Sequence, residues 1–292
     1  MQLPDPGRIS LDKVLPVIYK NEKVELDVLR LDKIHPVISG NKWFKLKFHL
    51  EKFRTGNYKG ILTFGGAWSN HIVATACTCH IKNITSVGII RGEQPAQLSP
   101  ALEAALKYKM RLKFIAREFY MQKKNEAFLE LVQTEFPGYY IIPEGGAGEP
   151  GEKGAGEIIN FIPKNTYTHI ACAVGTGTMF NGLGNVLSKR HQLLGVIVLK
   201  GWRKSVEINN AKLLNGYHFG GYAKHTHELI TFMNDFYRTT NIPTDFVYTG
   251  KLAFAIVDMI RKRHFADGSN ILIIHSGGLQ GNSSLQKGSL IF

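Results

Sequence analysis

A chain of 292 residues, 44% hydrophobic and 20% charged, is long enough for one large or two ordinary domains and too apolar for global disorder. Its formal charge of +13 comes from basic residues spread along the chain with no nucleic-acid motif, so attraction of small anions is a better use of the charge than nucleic-acid binding. Cys77, Cys79 and Cys172 form no CxxC and no disulfide framework, and the absence of a secretory signal or an apolar run of about 18 residues points to a cytoplasmic protein with no metal and no membrane contact.

Short apolar runs bounded by turn signals predict strands over 25–31, 60–64, 84–90, 112–116, 139–143, 169–174, 193–199 and 271–275. Helical spacing predicts helices over 42–54, 70–81, 99–109, 124–136, 178–189, 227–238 and 250–262. In the first helix Trp43, Leu46, Leu50 and Phe53 form one apolar stripe, and Lys42, Lys45 and His49 share another face. This alternation predicts an α/β protein with open, twisted, mostly parallel sheets covered by helices on both faces. The glycine-rich stretch 144–151 is the best candidate crossover between a smaller lobe, 47–142, and a larger one combining 1–46 with 143–292.

Five segments carry candidate chemistry. Lys42 follows the turn residue Gly40 and Asn41, which suits a helix cap, so its amine is held rigidly at a helix start. An arbitrary lysine on a helix is a solvated surface residue; here burial or a second cation such as Lys45 would release the proton and allow imine formation with a carbonyl cofactor. Ser69-Asn70-His71 opens a helix after the glycine turn Gly65-Gly66, where free N–H groups and the helix dipole suit a carboxylate or phosphate. Ser69 reads equally as a plain cap, and His71 as a general acid/base or as a polar residue near the surface.

Gly175-Thr176-Gly177-Thr178 follows a strand and opens a helix, a place for backbone N–H groups and threonine hydroxyls to close on one phosphate. The spacing misses the dinucleotide fingerprint, and no Walker lysine follows. Tyr248-Thr249-Gly250-Lys251 and His275-Ser276-Gly277-Gly278 lie at a helix start and a strand end, where open α/β sheets place ligands.

In this order the segments resemble the family of 1-aminocyclopropane-1-carboxylate deaminase and D-cysteine desulfhydrase, pyridoxal 5'-phosphate (PLP) enzymes of fold type II. The pairing of Gly40-Asn41-Lys42-x-x-Lys45-Leu46 with Gly65-Gly66-x-x-Ser69-Asn70 carries the likeness, and Ile142-Pro143-Glu144-Gly145-Gly146 adds to it. The resemblance implies that Lys42 holds the cofactor as an imine and moves protons at the substrate α-carbon. It implies that Asn70 bonds the phenolic oxygen of the ring, that Ser69 with the adjacent backbone, Asn70 and His71 holds the substrate carboxylate, and that Gly175, Thr176, Gly177 and Thr178 hold the phosphate. Tyr248 and Tyr222 would face a small amino-acid substrate, and a homodimer is expected.

Two positions separate activities within the family. Its deaminases carry a glutamate facing the ring nitrogen where this chain has Thr249, and a glutamine where it has His71. Both differences favour α,β-elimination from D-cysteine to pyruvate, ammonia and hydrogen sulfide. The alternatives are ring opening of the cyclopropane amino acid to 2-oxobutanoate and ammonia, a related amino-acid lyase, dehydratase or racemase, and a non-catalytic ligand- or nucleic-acid-binding α/β protein. The phosphate loop lacks the family's extra glycine, and residues 216–227 depart from its pattern.

Overall fold

The computed structural model describes residues 1–202 and 208–292. Its strands are β1 (Leu11–Val14), β2 (Glu25–Arg30), β3 (Gly60–Gly65), β4 (Ser86–Arg91), β5 (Arg111–Ile115), β6 (Tyr139–Ile142), β7 (His169–Val174), β8 (Gln192–Ile197), β9 (Ala211–Leu214) and β10 (Asn270–His275). They form two sheets, β1-β2-β10-β7-β8-β9 and β5-β4-β3-β6. Every pairing is parallel except β1 with β2. The α-helices are α1 (Pro16–Tyr19), α2 (Asn41–Thr55), α3 (Asn70–Ile81), α4 (Pro100–Lys107), α5 (Arg117–Met121), α6 (Glu126–Glu135), α7 (Glu149–Gly156), α8 (Thr178–Gly184), α9 (His227–Thr240) and α10 (Thr249–Arg261). Among the described residues no helix is long and apolar enough to cross a membrane.

Alternate side chains of a strand point to opposite faces, and a parallel sheet needs both faces covered. In β10, Ile271 and Ile273 pack with Leu252, Ala255 and Ile256 of α10, while Leu272 and Ile274 pack with Met179, Phe180 and Leu183 of α8. In β3, Ile61 meets Leu46 and Leu50 of α2 with Ala74 and Cys77 of α3, while Leu62 and Phe64 meet Phe128 and Val132 of α6. All three cysteines are buried and free, and burial pushes the Cys77, Cys79 and Cys172 thiols up to about 11, 12 and 12.

Helix α2 lies between the sheets. Of its expected stripe, Leu46, Leu50 and Phe53 face the four-stranded sheet and Trp43 packs against both cores, while Phe44 joins the core of the six-stranded one. The expected lobe limit between residues 46 and 47 therefore falls inside a continuous helix. All strands of the smaller sheet lie within 60–142, and all of the larger sheet lie outside that range.

The glycine-rich stretch expected as a crossover runs into helix α7. A side chain at Gly154 would put its Cβ 1.9 Å from the Phe44 carbonyl oxygen, so glycine there lets α7 lie directly on α2. The predicted helix over 178–189 is shorter, ending at Gly184.

Candidate active site

The C-terminal ends of the strands from both sheets converge on one cavity of about 610 Å³, a volume typical of small-molecule sites. Gly66 and Ser69 follow β3, Arg91 ends β4, and Glu144 follows β6. From the other sheet, Gly175 follows β7 and Ser276 to Gly278 follow β10.

Lys42 lines this cavity, and Gly40 explains its placement. Gly40, at φ +63°, caps α2, and any Cβ there would lie 1.9 Å from the Ser276 carbonyl oxygen. The close approach lets the Asn41 N–H donate to that carbonyl at 3.2 Å. The cap is thus Gly40 rather than the expected Asn41, which occupies the first helical position with its side chain buried against Met179. The Lys42 Nζ donates to Asn41 Oδ1 at 2.8 Å. Burial lowers its pKa from 10.5 to about 8, against the opposing pull of the Asp245 charge. Lys45, one helical turn on, lines the same cavity and is pushed well below its ordinary value, by burial first and by the Lys42 charge second.

Ser69 caps α3, accepting from the Ile72 N–H, and the first turn of the helix borders the cavity. Asn70 donates one amide hydrogen to the Gly278 carbonyl at 3.2 Å and keeps a second. His71 is not near the surface: it is buried. Thr63 Oγ1 donates to the Ile142 carbonyl, so His71 Nε2 must be the donor in its 2.8 Å bond to the same hydroxyl. Nδ1 is then a bare acceptor, buried and without a hydrogen-bond partner among the described residues. Burial, then the Lys42, His49 and Lys45 charges, hold His71 well below 6.5, so it is neutral. His49, expected on the same face as the lysines, is turned away to Tyr140 and Ala147, and burial lowers it to about 4.

Gly175, Thr176 and Gly177 line the cavity, and Trp202 Nε1 fixes the loop by donating to the Gly175 carbonyl at 3.0 Å. Thr178 stands behind them, 3.0 Å from the Thr176 hydroxyl. Tyr248 and Tyr222 both line the cavity with their rings edge to face, centroids 6.4 Å apart. Burial raises both phenols, Tyr248 well above 10, so they keep their protons.

Thr249 is not brought into the lining. It is buried, its hydroxyl 2.6 Å from Asp245 Oδ1. His275 likewise turns away, towards Asp32 and the Pro243 carbonyl.

Three contributors were not expected as site residues, although Lys251 closes one of the segments read from the sequence. Buried Asp245 accepts from the backbone N–H groups of Val247, Tyr248 and Thr249 and so shapes the start of α10. Lys251, fully buried, donates to the His218 and Gly221 carbonyls at 2.8 and 2.7 Å and ties down the loop that leads to Tyr222. Arg91 is the third. The one available signal for it was a charge ending the apolar strand Ser86-Val87-Gly88-Ile89-Ile90.

The donor set fits PLP. An amine of lowered pKa, a glycine loop with a threonine at the cavity wall, and the second amide hydrogen of Asn70 match an aldehyde, a phosphate and a phenolic oxygen. A Cβ at Gly278 would lie 2.9 Å from Asn70 Nδ2, so this wall is kept clear by glycine.

No protein-family model matches the chain. Known relatives do. An Arabidopsis thaliana protein named as a mitochondrial bifunctional D-cysteine desulfhydrase/1-aminocyclopropane-1-carboxylate deaminase is 30% identical over 299 residues, 88% of this chain and 73% of that protein. A Pyrococcus abyssi protein provisionally named as a 1-aminocyclopropane-1-carboxylate deaminase is 27% identical over 293 residues, 91% of this chain and 88% of that one. The solved structure of a homologue of that deaminase superposes with a TM-score of 0.80 at 24% identity, over 95% of this chain and 91% of that one, and has the same fold.

Proposed function

Because the chain belongs to the 1-aminocyclopropane-1-carboxylate deaminase and D-cysteine desulfhydrase family, PLP-dependent enzymes of fold type II, we propose that it eliminates hydrogen sulfide from D-cysteine. With one water, D-cysteine gives pyruvate, ammonia and hydrogen sulfide. The observation that carries this reading is that Lys42, the start of α3 and the Gly175 loop border one cavity.

When bound, PLP supplies a ring that takes up the electron pair released at the α-carbon. Lys42 holds the cofactor through its amine and, once displaced by the substrate amine, takes the α-proton. Its lowered pKa supports both roles, since each needs the neutral amine. The loop from Gly175 to Thr178, with Lys45 facing the same space, holds the phosphate. The second amide hydrogen of Asn70 meets the phenolic oxygen. Ser69 and the first N–H groups of α3 hold the substrate carboxylate; His71, expected to share this role, has its one proton on Nε2 facing Thr63, so its Nδ1 can only accept and does not donate to a carboxylate. Tyr248 and Tyr222 present phenol protons to the leaving sulfur.

Thr249 supports elimination over ring opening. Where the family's deaminases carry a glutamate, this chain has a hydroxyl that is bonded to Asp245 and lies outside the cavity lining, so no carboxylate reaches the cavity from that position. Glu144 is the one acid among the described residues that line the cavity, and it is bonded to Tyr120 and paired with Lys123. A ring without a facing carboxylate is a weaker electron sink, which suits a substrate with a good leaving group.

The test is to assay the yellow purified protein with D-cysteine, L-cysteine, D-serine and the cyclopropane amino acid. Equal yields of pyruvate and sulfide from D-cysteine, with little 2-oxobutanoate, are expected. Faster 2-oxobutanoate formation from the cyclopropane would replace this reading with the deaminase one, and a colourless protein inert to all four would end both.

A further inference from the structure

We propose that Arg91 is the charged partner of the substrate carboxylate and so a specificity-determining residue of this site, an inference that rests on the function proposed above. Strands β3 and β4 pair in parallel with Gly65 opposite Ile90, so Gly66, just past β3, and Arg91, the last residue of β4, lie side by side. A Cβ built on Gly66 would lie 3.5 Å from Arg91 Nη2, which puts the guanidinium against the Gly66 backbone. The Gly66 carbonyl accepts from the Ser69 N–H at 3.1 Å, so this same turn leads into the cap of α3. Arg91 lines the cavity there with Ser69 and Asn70.

Arg91 is also uncommitted. Among the described residues it has no ion pair, and its recorded contact is with the face of Tyr120, its Cζ 5.9 Å from the ring centroid. Glu144, the acid that might have neutralised it, accepts from the Tyr120 hydroxyl at 2.9 Å and pairs with Lys123 at 3.4 Å. The Gly175 loop, assigned above to the phosphate, follows β7 of the other sheet, whereas Arg91 ends a strand of the four-stranded one. The two anion-binding places thus sit on different sheets. A helix start offers N–H donors with a fraction of a charge; a carboxylate brings a whole one, which a planar guanidinium meets with two parallel hydrogen bonds.

Kinetics of the native enzyme, Arg91→Gln and Arg91→Lys with D-cysteine and with its methyl ester test this. Removing a charge-assisted hydrogen bond predicts a KM for D-cysteine about tenfold or more higher in Arg91→Gln, with kcat within a few-fold. Arg91→Lys should recover part of the loss, and the ester, with no carboxylate charge, should show nearly the same KM in all three. A second readout needs no turnover. D-alanine, which keeps the carboxylate and lacks a leaving group, should slow modification of Arg91 by phenylglyoxal, followed by mass spectrometry. Yellow, active protein in which Arg91→Gln leaves KM unchanged, or shifts the ester equally, overturns the role of Arg91 alone, as does failure of D-alanine to protect. A colourless protein without D-cysteine turnover overturns the function itself.

Discussion

The Thr249 hydroxyl lies 2.6 Å from Asp245 Oδ1 and accepts at 2.7 Å from the Asp245 backbone N–H, so its one proton is committed to a carboxylate of its own loop. Thr249→Val preserves the shape and leaves that buried N–H unpaired. The loss expected is about 1–3 kcal/mol. Thermal melting of the cofactor-free protein should show a fall of about 2–4 °C for each of those kcal/mol. An unchanged melting point would contradict the bond.

Lys42 carries a prediction in pH. Only the neutral amine attaches an aldehyde, and burial has lowered its pKa to about 8. The rate at which cofactor-free protein turns yellow with PLP should rise through about pH 8 and then level off. Continued steep growth above pH 9 would indicate an ordinary lysine. Lys42→Ala should stay colourless and inactive at every pH.

His71 should behave as a fixed neutral acceptor. Its ionisation is pushed well below 6.5, so neither its NMR signals nor kcat should show a step from it near that pH. Nitrogen-15 spectra should report the proton on Nε2, the atom facing Thr63. A proton on Nδ1 would reverse the assignment.

Gly40→Ala should be among the most damaging single changes away from the reacting atoms. It places a methyl 1.9 Å from the Ser276 oxygen and forces a side chain onto φ +63°. Strain and overpacking of about 1–3 kcal/mol each are expected. Urea titration reads the lost stability, and the absorbance reads cofactor uptake, which should fall with it.

How much of this was legible in the sequence depended on burial. The helix over 70–81 and the strand over 169–174 are found with the predicted limits, because each is an almost wholly buried run between clear turn signals. Strands β1 and β9 were missed. Each lies at a sheet edge, pairs on one side and fully buries only its last residue, so neither shows an apolar run. Helix α7 was missed because Gly151 and Gly154 weigh against a helix, a preference overridden by contact with α2. At the site, Lys42, Ser69, Asn70 and the Gly175 loop could be read from local order along the chain. Arg91, Asp245 and Lys251 could not, because what matters in each is a neighbour distant in sequence or a loop carbonyl that no spacing records.

The brace between Gly40 and Ser276 also bears on how the protein is made. The helix that carries Lys42 is encoded early, yet the carbonyl that seats its first turn belongs to the segment after β10 and is encoded late. A nascent chain can emerge with its lysine long before that lysine has a fixed address. Capture of the cofactor therefore belongs to the finished polypeptide rather than to the growing one, and a ribosome stalled before residue 270 should hold a chain that cannot be coloured.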